Sequence, residues 1–219
     1  MHAFRDLETA AYCPRKLYYR RREADPDRTI PDRVRRRRTL AFDYERLLRS
    51  ADARASAPLA VAPETYRDRL AAMRDRLDAW DALVDPADRA VRLRGREARG
   101  VAHKVLDAPL APTLAFTGDP PEQGVWEPQS VRLVAAAKAL SWERETPVEQ
   151  AFAEYPAHGV VRAIDLTTRR KAAYRKAVRI ADSVDSPPPR LSDDAKCGPC
   201  EYAADCGVRT RSLKSLLGR

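Results

Sequence analysis

Cys197-Gly-Pro-Cys200-Glu-Tyr-Ala-Ala-Asp-Cys206 gathers three of the chain's four cysteines within ten residues, and the fourth, Cys13, stands near the opposite end of the 219 residues. Gly198 and Pro199 supply a tight turn, so thiolates at this C-x2-C-x5-C spacing converge easily. Three clustered ligands with one distant partner form a metal signature, one that would tie the two ends of the chain together. Bringing Cys13 beside Cys197 closes almost the whole chain into a loop, at roughly 4–5 kcal/mol plus a constant. Metal–thiolate bonding worth ~10–16 kcal/mol in small zinc sites offsets that cost. Zinc and a [4Fe–4S] cluster both accept four thiolates, and the spacing alone leaves the choice open.

The rest of the composition agrees with a metal rather than with disulfides. The sequence is 44% hydrophobic and 33% charged, as a globular domain is. No stretch approaches 18 uninterrupted apolar residues, which argues against a membrane span. Met1-His-Ala-Phe-Arg-Asp-Leu-Glu lacks the layout of a secretory signal, so the expected compartment is the reducing cytoplasm, where cysteines do metal or redox work. The net charge is +9, unevenly spread. Residues 1–50 carry 14 Lys/Arg against 8 Asp/Glu, and residues 161–219 carry 13 against 7, so each end is +6. Residues 100–160 carry 4 against 8, or −4. The excess positive charge sits where the cysteines sit, and joining the ends would build a basic surface of the kind that attracts phosphate backbones.

Periodicity supplies the elements. Residues 5–22 read as helix, interrupted where Pro14 follows Cys13. Residues 24–32 read as a loop, and further helices are expected over about 34–50 and 63–83. Near residue 90 the period changes to alternation: Val91-Arg-Leu-Arg, Gly100-Val-Ala-His-Lys-Val-Leu and Pro112-Thr-Leu-Ala-Phe-Thr-Gly118 read as strands. An Ala-rich helix is expected over 131–142, strands over 148–155 and 159–166, and a basic helix over 167–183. The order predicts an α/β (mixed α+β) fold: a mixed sheet flanked by helices in a single domain over 1–219. Within it lie a basic helical segment (1–50), a sheet core (90–183) and a cysteine segment (190–219).

The setting of Cys13 adds a resemblance. Arg5-Asp-Leu-Glu-Thr-Ala-Ala-Tyr-Cys-Pro-Arg-Lys-Leu-Tyr-Tyr19 resembles the opening of the CRISPR-associated RecB-like iron–sulfur exonucleases. In those proteins a C-P-R-x-x-Y segment supplies one cluster ligand and a C-x2-C-x5/6-C tail supplies three. The resemblance implies a PD-(D/E)xK nuclease core, a [4Fe–4S] cluster on Cys13, Cys197, Cys200 and Cys206, and single-stranded DNA processing during CRISPR adaptation. Such nucleases hold Mg²⁺ or Mn²⁺ through an Asp on one strand and a Glu on the next, with a Lys two residues after the Glu. Hard cations require those carboxylate oxygens.

The middle of this sequence departs from that pattern. His103 stands where the Asp of Gly-x-x-Asp is expected, and Thr113-Leu-Ala-Phe-Thr-Gly118 carries neither the Glu nor the Lys. The family's helical Gln-x-x-x-Tyr falls on Arg132 and Ala136. Asp107 and Glu127, with Asp119 and Glu122 nearby, are the carboxylates that could form a shifted site. His103 itself reads as a strand residue with a satisfied hydrogen bond. The leading expectation is therefore an iron–sulfur, DNA-binding relative of the exonucleases that does not cleave. Arg15, Lys16, Tyr19, Arg20, Arg21, Arg169, Arg170 and Lys171 would bind DNA, with Tyr12 and Tyr18 as further stacking surfaces. An active Mg²⁺- or Mn²⁺-dependent exonuclease and a scaffold for CRISPR adaptation proteins are the alternatives.

Overall fold

The computed structural model describes residues 1–23 and 30–207 of the chain; part of the expected 24–32 loop and the end of the cysteine segment lie outside them. The alternating stretches form one six-stranded mixed sheet. After β1 (His2–Ala3) the chain is helical: α1 (Phe4–Tyr12), α2 (Pro14–Arg22), α3 (Asp32–Thr39), α4 (Tyr44–Arg49), α5 (Ala51–Ser56), α6 (Pro63–Arg76) and α7 (Trp80–Val84). Then follow β2 (Asp88–Arg94), β3 (Ala98–Asp107), β4 (Leu110–Ala115), α8 (Glu127–Arg144), β5 (Gln150–Tyr155), β6 (Val160–Asp165), α9 (Thr168–Ser183) and α10 (Asp194–Cys197).

β3 is the hub of the sheet. One edge pairs antiparallel with β2; the other pairs with β1 at its start and with β4 at its end. β4 runs parallel to β5, with Thr113 beside Phe152, and α8 makes the crossover that a parallel pair requires. β5 and β6 form a hairpin closed by Gly159, whose φ of 64° is a left-handed conformation that glycine adopts without strain.

Alternation along the strands feeds two apolar cores. Leu114, Phe116, Ala151, Ala153 and Tyr155 face Phe4, Leu7, Val131, Val134 and Tyr174 of α1, α8 and α9. Ala111, Ala115, Phe152 and Val161 face Leu40, Tyr44, Leu47, Tyr66, Leu70 and Trp80. Each large side chain removed from water here contributes about 1.5–3 kcal/mol. Gly100 serves the first core by having no side chain, since a Cβ there would lie 2.2 Å from the Phe4 ring. The glycine of the expected Gly-x-x-Asp string is thus required by packing.

Several boundaries differ from the sequence reading. The expected helix over 34–50 is three pieces, α3, a 3₁₀ turn at Leu40–Phe42, and α4. The Ala41 carbonyl is taken by Lys104 Nζ at 2.6 Å and is lost to the helical ladder. The expected helix over 63–83 stops at Arg76, and α7 restarts at Trp80 so that its ring stacks on Tyr44 at 5.8 Å. Glu127, a carboxylate of the possible shifted site, opens α8, where Pro128 is tolerated in the first turn. β1 and α5 were not anticipated.

Candidate functional site: the cysteine cavity and the adjoining groove

Cys13 sits at the joint between α1 and α2. Pro14 disfavours helical backbone in the residue before it, and Cys13 is extended at φ −159°, ψ 113°. Its thiol therefore projects between two helices. At the other end α10 carries Cys197 in its final turn, capped by Asp193, whose side chain accepts from the Lys196 N–H at 3.2 Å. The chain then winds in single turns: Cys200 N–H donates to Cys197 O at 3.2 Å, and Cys206 N–H to Tyr202 O at 2.8 Å.

All four cysteines are free and half-buried, and all four line one small cavity with Tyr12, Tyr19 and Tyr202. Contacts around the thiols also join α2 to residues 188–205. Tyr19 stacks on Tyr202 with centroids 5.5 Å apart and donates its hydroxyl to Asp205 O at 3.1 Å. Arg15 donates to Pro188 O at 2.8 Å, and Lys16 meets Glu201 at 3.3 Å. Burial, with the nearby thiols and Asp193, holds the Tyr12 hydroxyl above its ordinary pKa. Arg15, Lys16 and Lys196 line the same cavity and place positive charge beside the thiols. Among the described residues no three Cys, His, Asp or Glu side chains are close enough to share a single metal ion. A lone zinc would need every sulfur about 2.3 Å from one point.

The basic residues expected to bind DNA divide into groups. Lys16 and Arg20 border a groove of about 1030 Å³ that shares Tyr12, Lys16 and Lys196 with the cysteine cavity. Arg15 and Tyr19 are committed to the clamp just described. Arg21 donates to Ala181 O at 2.6 Å and reaches His2, fastening α2 to the end of α9. Arg169, Arg170 and Lys171 occupy the first turn of α9. At 1.5 Å per residue they stand about 15 Å or more along the helix from Ala181. They lie on a part of the surface remote from that contact, and Arg170 donates to Asp165 O at 3.0 Å.

No family model matches this chain, and no curated protein matches it. What it can do chemically therefore rests on its own geometry.

At the position of the expected metal site, β3 and β4 part company. Lys104 faces Thr113, but one step further the Ala115 N–H donates to His103 Nδ1 at 2.7 Å instead of to a strand carbonyl. Burial, followed by the charges of Arg132, Arg38 and Lys104, depresses the His103 pKa to about 3, so the ring is neutral. With Nδ1 accepting, the proton resides on Nε2. The sequence expectation of a hydrogen-bonded strand histidine matches this contact. Beside it, Leu114 is fully buried and Phe116 nearly so. The Arg132 guanidinium lies 5.6 Å from the Phe116 centroid and meets Glu8 at 3.1 Å. Asp107 is exposed at the far end of β3, about 13 Å from His103 at strand rise. Glu127 borders the groove from the start of α8, and Asp119 pairs with His158 at 3.1 Å. Asp107 thus stands on β3, away from Asp119, Glu122 and Glu127, which follow one another over 119–127, and no metal-sized group forms among the described residues.

Sequence reasoning missed three groups. Arg38 lines the groove and is partly buried. Trp126 borders the same groove, 51% exposed, with its indole N–H donated to Asp119 O at 3.0 Å. Gln129 accepts from the Tyr155 hydroxyl at the base of α8. Arg38 falls within an Arg-Arg-Arg-Arg run, and nothing in that run marks which member turns inward.

Proposed function

We propose that this chain is a non-cleaving, single-stranded DNA-binding protein whose two ends are joined by a [4Fe–4S] cluster on Cys13, Cys197, Cys200 and Cys206. The observation that carries the reading is the shared cavity: four free thiols, one from near the start of the chain and three from near its end, border one space that adjoins a large groove. The donor set suits such a group, since iron–sulfur clusters are held by four cysteine thiolates. A bound cluster would add covalent closure to a clamp already made by Arg15, Lys16 and Tyr19. The resemblance of both ends to the iron–sulfur exonucleases supports the same assignment.

Loss of cleavage follows from the strands. A divalent cation for phosphodiester hydrolysis needs carboxylates at neighbouring strand positions. Here those positions carry His103, held neutral, with apolar Leu114 and Phe116, and the charges that act on His103 are those of Arg132, Arg38 and Lys104. The groove has a volume of about 1030 Å³, and Trp126 and Tyr12 in its lining offer aromatic faces to unpaired bases. The test is anaerobically purified protein with labelled single-stranded DNA and Mn²⁺, beside an Asp107→Ala, Glu127→Ala double variant. Retention of intact DNA by both proteins is expected. Degradation by the parent that vanishes in the variant would mean that the site has moved rather than gone.

A further inference from the structure

Several cations line the groove, and Arg38 differs from Lys16, Arg20 and Lys196 in having no carboxylate partner among the described residues. Lys16 meets Glu201 at 3.3 Å, Lys196 meets Asp193 at 3.4 Å, and Arg20 meets Thr9 at 2.9 Å and Asp6 at 3.9 Å. Arg132, just behind the groove, meets Glu8. Arg38, in the last turn of α3, has no ion pair or hydrogen bond among the described residues, and its Nε is buried without a partner. The Arg132 Nε is also buried without a partner. Burial lowers the Arg38 pKa, and the charges of Arg132 and Arg5 lower it further, against a smaller opposing effect from Glu8. Arg38 and Arg132, from α3 and α8, therefore lie near the same carboxylate, Glu8. Arg132 engages it, which leaves Arg38 with its charge and donors unused.

We propose that Arg38, with Arg132 beside it, forms a receptor for one phosphate group, in the region where a metal-dependent nuclease would hold its divalent cation. Planar guanidinium forks suit phosphate oxygens, and Arg keeps its charge even when partly desolvated. A fixed cation thereby takes over the electrostatic role of a metal, holding a phosphate without activating water to attack it. The inference rests on the DNA-binding reading, because the phosphate it names is a backbone or terminal phosphate of the bound strand. Free inorganic phosphate presents the same chemistry. Glu8 and Glu127 also face the groove, and they disfavour the anion until Arg132 engages the first of them.

Arg38→Gln tests this in full-length protein with its metal centre intact. Removing Arg38 relieves its repulsion from Arg132 and Arg5. The ligand-free variant should therefore melt at or above the parent temperature, whereas a purely structural arginine would lower it. At constant ionic strength, replacing chloride by millimolar phosphate should raise the melting temperature of the parent and leave Arg38→Gln unmoved, with acetate inert for both. Oligothymidylate affinity should drop several-fold in the variant, and its log–log salt slope should shrink by about 0.7, the share of one single-strand phosphate contact. Equal phosphate responses in parent and variant, or a parent blind to phosphate, would overturn the receptor. A parent that responds to phosphate but binds no oligonucleotide would sustain the receptor while removing the DNA-binding reading. A parent that binds DNA with a slope unchanged by Arg38→Gln would do the reverse.

Discussion

Replacing Lys104 by methionine should cost this protein a large part of its stability without touching any ligand site. Lys104 is fully buried, and its ammonium donates to Ala41 O at 2.6 Å, Leu83 O at 2.8 Å and Glu154 Oε2 at 2.8 Å. Glu154 is equally buried, and its other oxygen accepts from Thr113 Oγ1 at 2.6 Å. The Phe42 and Tyr44 rings flank the ammonium at 5.2 and 4.9 Å. Methionine fills similar volume but leaves Glu154 charged, buried and short of its main partner. Breaking a buried pair from one side costs about 3–5 kcal/mol. Domains of this kind hold only about 5–15 kcal/mol in total. At roughly 2–4 °C per kcal/mol for a chain of this size, the melting temperature should fall by roughly 6–20 °C. Adding Glu154→Gln should recover part of the loss, because no buried charge then remains, while the Ala41 and Leu83 carbonyls still lack their donor. Urea unfolding of the parent, both single variants and the double variant measures the coupling. A Lys104→Met variant within about 1 kcal/mol of the parent would refute the premise that this network is structural, and would make Glu154 a candidate for chemistry after all.

Other outcomes follow from the same contacts. The unfolded chain takes up a proton on His103 near pH 6.5 and the folded chain only near 3, so stability should fall as pH drops through that window, by about 1.4 kcal/mol per unit. His158, whose pKa burial also lowers, adds in the same direction. His103→Gln should flatten the slope in urea titrations at pH 4–7, and an unchanged slope would mean that the ring is not shielded. Cys13→Ser should strip the metal centre and lower the melting temperature as far as Cys200→Ser does, since either loss opens the closure between chain ends. A Cys13→Ser protein with full metal content would show that the distant cysteine is no ligand. Tyr19→Phe, which loses the hydrogen bond to Asp205 O and the one accepted from Arg15 but keeps its ring on Tyr202, should cost about 1–3 kcal/mol by thermal melting.

How far the sequence foretells the structure depends on whether a signal is local. Strand alternation, the Cys13-Pro14 joint and the Ala-rich helix are local, and α1, α2, β2 to β6 and α9 lie close to where periodicity sets them. The break at Leu40–Phe42 is not local. It depends on a lysine more than sixty residues away claiming the Ala41 carbonyl. The inward turn of Arg38 and the pairing of Arg132 with Glu8 likewise exist only once α1, α3 and α8 pack together. Counting charge along the chain gave each end the same excess, yet Lys16, Arg20 and Lys196 near the cysteines are each neutralised by a neighbouring carboxylate. Net charge thus identified the cationic ends of the chain, but not which side chain is left without a partner.

The central claim is that Cys13, Cys197, Cys200 and Cys206 share one iron–sulfur cluster, and metal analysis of anaerobically purified protein tests it most directly. The account predicts a brown protein with about four irons and matching acid-labile sulfide per chain, and loss of both in Cys13→Ser. A colourless protein carrying one zinc, or holding no metal under conditions that preserve clusters, would contradict it.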